Sequence, residues 1–230
     1  MPRSAARIDA PAAPLLKAWW EESKRLDVAV YAAIAATPTP VMDVGLRRLS
    51  RAASYSRIWL GCAAVLAASG GERGRAAAAN GVASIALASA VVNLVLKPLG
   101  DRRRPDRRVH EVPLARQVSM PHSTSWPSGH AASASAFATG VGAAWPAAGV
   151  PLTVVASLVA YSRVHTGVHY PSDVIAGTAS GVALAPMAVA AVKRGRRMWS
   201  RRRRCSPPTA LVPARVRNLG SAVRGITRTV

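Results

Sequence analysis

Apolar residues in this chain fall in long uncharged runs, a pattern that soluble domains of this length rarely contain. Ala76 to Leu96 is uninterrupted over 21 residues, which as a helix covers about 32 Å and is enough to cross a hydrocarbon core. Val174 to Val192 gives another 19 residues. Ala131 to Ala160 is also free of charge, but Pro146, Gly149 and Pro151 interrupt it, which predicts two spans joined by a tight turn over 146–151. Ile58 to Gly70 reads as a shorter, tilted span, and Val28 to Ala36 as the end of a first span entered from an amphipathic stretch around Trp19 and Trp20. The predicted fold is all-α, an integral-membrane bundle of five to six transmembrane helices. Residues 1–27 form an interfacial segment, 28–192 the membrane-embedded domain, and 193–230 a basic tail.

Charge sharpens this picture. The net charge of +21 is uneven, because residues 193–230 hold one Lys and eleven Arg with no acid. Lys193-Arg194-Gly195-Arg196-Arg197 and Arg201 to Arg204 resemble a nucleic-acid-binding run. Basic residues directly after a last span more often fix orientation from the cytoplasmic side and attract anionic lipid headgroups, so headgroups are the expected partner and nucleic acid is not. The Pro, Ser, Thr and Arg content beyond Cys205 predicts a disordered end. The first 20 residues hold three prolines and no continuous apolar core, so no secretory signal is expected. Cys62 and Cys205 give no basis for a disulfide framework.

Parity then orders the loops. With the tail cytoplasmic, the segment Arg163–Asp173 and the loop Lys97–Ser128 both lie on the outer face, while Pro146–Pro151 and Gly71–Arg75 are inner turns. The arginine-rich run Asp101 to Arg108 opposes this assignment, unless its arginines are retained for an anionic ligand.

Between Gln117 and Val192 only Arg163 and Asp173 are formally charged, and they bracket His169. An ion kept within apolar sequence costs about 2.5–3.5 kcal/mol on insertion scales, so such a pair marks a functional site. The converging segments add Lys97 at the end of a span, Arg104 before Pro105, and Pro127-Ser128-Gly129-His130 at the start of the next span. Fixed cations and helix N-terminal N–H groups suit a tetrahedral oxyanion, and preorganised donors stabilise phosphoryl transfer. Asp173, four residues after His169, can orient its ring for attack on phosphorus. His130 can protonate the leaving oxygen and then activate water. No cofactor is called for, since the cations neutralise the phosphate, and His165/His169 have no third ligand to complete a zinc site.

Lys97-x6-Arg104-Pro105, Pro127-Ser128-Gly129-His130 and Ser162-Arg163-x5-His169-x3-Asp173 together resemble the three signature motifs of the type 2 phosphatidic acid phosphatase superfamily, shared with vanadium haloperoxidases. The resemblance covers roughly residues 28–192. It implies a helical membrane bundle and metal-independent phosphatase activity. His169 is implied as nucleophile, Asp173 as its partner and His130 as acid/base, with Lys97, Arg104, Ser128, Gly129 and Arg163 holding the phosphate. Arg102, Arg103, Arg107 and Arg108 lie outside the motifs and are expected to meet headgroups.

Simpler roles stand beside these. Ser128 is expected to cap its helix whatever else it does. His165 reads as a packing residue, and His110 and His122 as loop histidines. Gly177 and Gly181 have the spacing of close helix packing, while Trp126 and Tyr170 fit an interfacial aromatic belt. The leading function is hydrolysis of a lipid phosphate: phosphatidic acid, phosphatidylglycerol phosphate, a polyprenyl diphosphate or a polyprenyl-phosphosugar phosphate. The alternatives are a vanadate-dependent haloperoxidase, an intramembrane serine protease using Ser128, and a non-catalytic basic membrane anchor.

Overall fold

The structure is a computed structural model, and it describes residues 12–205; the expected disorder of the chain's end falls outside them. Among the described residues every regular element is helical. The helices are α1 (Ala12–Ala36), α2 (Pro40–Ala52), α3 (Arg57–Ser69), α4 (Gly71–Val91), the short α5 (Lys97–Leu99), α6 (Gly129–Gly142), α7 (Pro146–His165) and α8 (Pro171–Cys205). Three helical stretches are long and apolar enough to span a membrane: Gly71–Leu99, Pro146–His165 and Pro171–Arg202. The α1–α2 pair, bent by 117°, makes a fourth if counted as one broken span. α3 and α6 are also apolar but hold only 13 and 14 residues.

α6 is the central element. Ala131 to Ala138 are buried on every side, as expected for a helix without a polar face. Its Ala, Ser and Gly positions let neighbouring backbones come close. A Cβ at Gly177 of α8 would collide with the Ser128 backbone, and one at Gly181 with Ser135 and the Ala132 carbonyl. Trp59 and Phe137, with ring centroids 5.4 Å apart, anchor the apolar core between α3 and α6. A second cluster, with Tyr31, Val112, Ala131, Val164 and Val174, lies under the loops that carry the polar motifs.

Two expectations are corrected, and one helix is new. The break between α6 and α7 lies at 143–145 rather than 146–151, because Pro146 occupies the first turn of α7, where its missing N–H is harmless; Pro151 lies inside α7. Gly71–Arg75 is not an extended turn. The chain reverses at Gly70 and Gly71 (φ +56°), and Glu72 to Arg75 belong to α4. α2 was not anticipated, since the face that it buries is partly polar: Asp43, Leu46 and Ser50.

Between α4 and α5 the bonding pattern widens to i→i+5 over Val92–Leu96. Such a segment inserts an extra residue per turn and re-aims the side chains beyond it. The first of those is Lys97.

Candidate active site

A cavity of about 230 Å³ opens where α4 ends and α6 begins. Lys97, Arg104, Gly129, His130 and His169 line it, with Ser89, Asn93 and Ser133 on a further polar wall. Five of the residues singled out by sequence therefore meet around one space. Ser128, Arg163 and Asp173 stand behind it, each at 2% exposure or less.

His169 lies in the loop between α7 and α8, and its backbone N–H donates to the Arg163 carbonyl at 3.2 Å. Its Nε2 is 3.2 Å from Arg104 Nη1. A guanidinium only donates, so Nε2 is the acceptor and the ring proton sits on Nδ1. Nδ1 faces Asp173 Oδ2 at 3.5 Å, an electrostatic contact longer than a formed hydrogen bond. Burial pushes the His169 imidazole down from 6.5 to about 4, with Asp173 opposing and Arg104 and Arg163 adding to the shift. The ring is therefore neutral at ordinary pH.

The Asp173 carboxylate has its own partners. Oδ2 accepts the Ser125 hydroxyl and, at 2.9 Å, the Tyr170 N–H, while Oδ1 accepts Arg102 Nη1 at 3.0 Å. The Tyr170 bond closes the first turn of α8 in the manner of a capping box. The Asp173 carbonyl accepts the Ser128 N–H at 2.9 Å, which ties the starts of α6 and α8 together. Ser128 Oγ accepts the Ala131 N–H at 3.5 Å as the α6 cap. The Nε2 of His130 is buried without a hydrogen-bond partner.

Loop atoms hold the cations in place. Lys97 Nζ donates to Ser123 Oγ at 3.0 Å. Arg104 donates to Ser123 O, Val168 O and Thr124 O at 2.8, 2.8 and 3.1 Å, and to Ser123 Oγ at 3.2 Å. Arg163 is buried, with Nη1 on Ser50 Oγ. Cations spaced in this way, beside a helix start and two imidazoles, can hold a phosphate monoester and pass protons across it.

Two of the arginines expected at headgroups are engaged within the protein. Arg102 bridges Asp27 and Asp173, and Arg107 donates to the carbonyls of Gly167 and Val118. A charge inside a helical bundle is retained only with a partner, and these two find theirs among loop carbonyls and carboxylates. His165 meets Asp43 at 3.0 Å beside Arg116, and His110 packs edge-on against Tyr31. Sequence reasoning missed Asp27, Asp43, Ser50, Ser123, Ser125 and Arg116. The only available signal was for Asp27 and Asp43, isolated acids at the borders of apolar sequence.

Comparisons with known proteins identify the family. The family model described as the PAP2 superfamily matches residues 78–197. A decaprenylphosphoryl-5-phosphoribose phosphatase of Mycobacterium tuberculosis is 35% identical over 164 residues, 70% of this chain and 88% of the relative. Its namesake in Mycolicibacterium smegmatis is 36% identical over 156 residues, 65% of this chain and 78% of the relative. Among solved structures, Aquifex aeolicus LpxE superposes with a TM-score of 0.60 at 23% identity, over 72% of this chain and 95% of that one. A transmembrane PAP2-type phosphatidylglycerolphosphate phosphatase of Bacillus subtilis gives 0.56 at 21% identity, over 82% and 90%. These two likenesses concern the fold.

Proposed function

Since the chain belongs to the PAP2 superfamily, we propose that this membrane phosphatase hydrolyses a lipid phosphate monoester through a phosphohistidine on His169. The observation that carries the reading is the orientation of His169. Its Nε2 accepts from Arg104, one of the cations that line the cavity with Lys97 and His130, while Nδ1 faces Asp173.

In the first step Nε2 attacks phosphorus and the bond to the lipid oxygen breaks. His130, which takes up a proton once the phosphate's negative charge offsets the cations around it, delivers that proton to the lipid oxygen, and Asp173 offsets the positive charge developing on the His169 ring. In the second step His130 takes a proton from water, the water oxygen bonds to phosphorus, and the P–N bond breaks to release inorganic phosphate. Lys97, Arg104, Arg163 and the N–H groups at the start of α6 neutralise the phosphoryl oxygens, a role worth about 10²–10³-fold for a single well-placed donor.

The substrate that we favour is a polyprenyl-phosphosugar carrying a terminal phosphate monoester. The support is the name shared by the relatives at 35–36% identity. Polyprenyl tails remain in lipid while the sugar phosphate reaches the cavity at the helix ends. The basic run that begins at Lys193 follows the last apolar stretch, and by the positive-inside rule this, with the parity of the spans, supports an active site on the outer face. Ser128 is fully buried and occupied as a cap, which argues against the serine protease alternative.

The test is phosphate release from polyprenyl-phosphosugar phosphate, phosphatidic acid and phosphatidylglycerol phosphate, with EDTA present, by wild type and His169→Ala. Release by wild type alone, fastest on the sugar phosphate, is expected. Equal release by both proteins would sink the mechanism, and a preference for another lipid would sink the substrate assignment.

A further inference from the structure

We infer that Arg102 is a positioning residue for the His169–Asp173 pair, and that Asp27 of α1 is the counter-anchor that sets how much of its charge Asp173 receives. The inference rests on the phosphohistidine reading above.

One guanidinium bridges two carboxylates that are almost wholly buried. Nη1 donates to Asp173 Oδ1 at 3.0 Å and to Ser172 Oγ at 2.6 Å, while Nη2 donates to Asp27 Oδ2. Asp27 also accepts the Ser172 N–H at 2.8 Å and the Ser172 hydroxyl at 2.7 Å. The Arg102 guanidinium lies over the Tyr170 ring, 4.1 Å from its centroid. Three separate parts of the chain therefore lock one planar fork: α1, the loop after α5, and the start of α8. A planar donor so constrained can hold the Asp173 carboxylate in one orientation.

The electrostatics give this arrangement a purpose beyond packing. Asp27, Asp173 and Arg102 together carry one net negative charge. With Arg102 to itself, Asp173 would form a neutral pair that does little for an imidazolium on His169. With no cation, a buried carboxylate beside His169 would favour a protonated ring, whose Nε2 has no lone pair with which to attack. Sharing one arginine between two carboxylates gives the intermediate condition: a neutral ring at rest, and a negative charge to stabilise the ring once phosphorylated. The other charged or titratable groups around His169 are Arg104, Arg163, His130, Lys97 across the cavity and the adjacent Tyr170; of these only Tyr170 also interacts with Asp27, and it lies under the same Arg102 guanidinium.

The test uses full-length protein in lipid nanodiscs and follows kcat, KM and the acid limb of kcat/KM. Arg102→Gln should lower kcat by about 10–100-fold, the range of a hydrogen bond to a charged group, with KM little changed. It should also move the acid limb upward by on the order of one pH unit, because Asp173 is released to stabilise imidazolium. Asp27→Asn should lower kcat several-fold without an upward move of the limb, since Arg102 then belongs to Asp173 alone. Arg102→Lys keeps the charge but loses the fork, so its limb should stay near wild type with kcat between those of wild type and Arg102→Gln. A purely structural role would lower activity in all three with one unchanged pH profile, and that result overturns the inference. So does an upward shift in Asp27→Asn, which carries the test alone if Arg102→Gln does not fold. Full activity in His169→Ala would instead overturn the mechanism beneath it.

Discussion

Arg104 Nη1 donates to His169 Nε2 at 3.2 Å, so a permanent cation stands on the nitrogen proposed to attack phosphorus. A proton reaching that nitrogen must displace the guanidinium and enter a buried site that Arg163 also makes positive.

The pH profile should report this directly. The imidazole is pushed down from 6.5 to about 4, and only its neutral form can attack. Activity therefore persists as pH falls through 6.5 and is lost as pH falls through about 4. A kcat/KM profile of the wild type should show that low acid limb, and Arg104→Ala should raise it while slowing turnover. A wild-type limb near 6.5 would show that neither burial nor Arg104 governs the ring.

Ser123 joins the two cavity cations, with Oγ 3.0 Å from Lys97 Nζ and 3.2 Å from Arg104 Nη2. Hydrogen bonds to charged groups contribute about 1.5–3 kcal/mol. Ser123→Ala should therefore lower kcat/KM by about tenfold or more in a phosphate-release assay, with the thermal midpoint nearly unchanged. Wild-type kinetics would show that the cations need no such bridge.

The α6–α8 contact predicts a different phenotype. A methyl group at Gly181 meets the Ser135 hydroxyl and the Ala132 carbonyl. Overpacking of this kind costs about 1–3 kcal/mol, so Gly181→Ala should lower the unfolding midpoint in detergent. It should also reduce activity, because Ser128 and Asp173 lie at the same helix ends. An unchanged midpoint would mean that α8 can move away from α6 at no cost.

Arg116 should behave as a structural residue. It is 1% exposed and donates to Asp43, to the carbonyls of Ile34, Ala35 and Thr37, and to Thr39 Oγ1. Removing one member of a buried ion pair costs about 3–5 kcal/mol. Arg116→Ala should reduce the yield and midpoint of folded protein, with turnover per folded molecule close to wild type. Intact stability with lost turnover would reverse that assignment.

The sequence revealed the spans and the polar motifs for a single reason. A bilayer excludes charge from helical runs, and the few charges that remain become conspicuous, as Arg163 and Asp173 did. The same reasoning failed where the pattern inverts. α2 turns Asp43 and Ser50 inward, so its buried face looks like a solvent face when read along the chain. Pro146 looked like a breaker because a linear reading cannot distinguish the first turn of a helix from its interior, and Pro151 is carried inside α7 despite its missing N–H. The supporting residues Ser50 and Ser125 were invisible, since each acquires its partner from a distant segment.

α6 has 14 residues and α7 has 20, so from their shared turn they rise about 21 Å and about 30 Å. The hydrocarbon core is about 30 Å thick. His130, at the start of α6, therefore stops about 9 Å short of the far end of its neighbour. With α7 spanning that core, a lipid phosphate would meet the imidazole below the level of the far end of α7, and water would have to reach it there. Hydrophobic mismatch thus becomes a kinetic variable, and a thinner bilayer shortens the path by which water arrives and phosphate leaves.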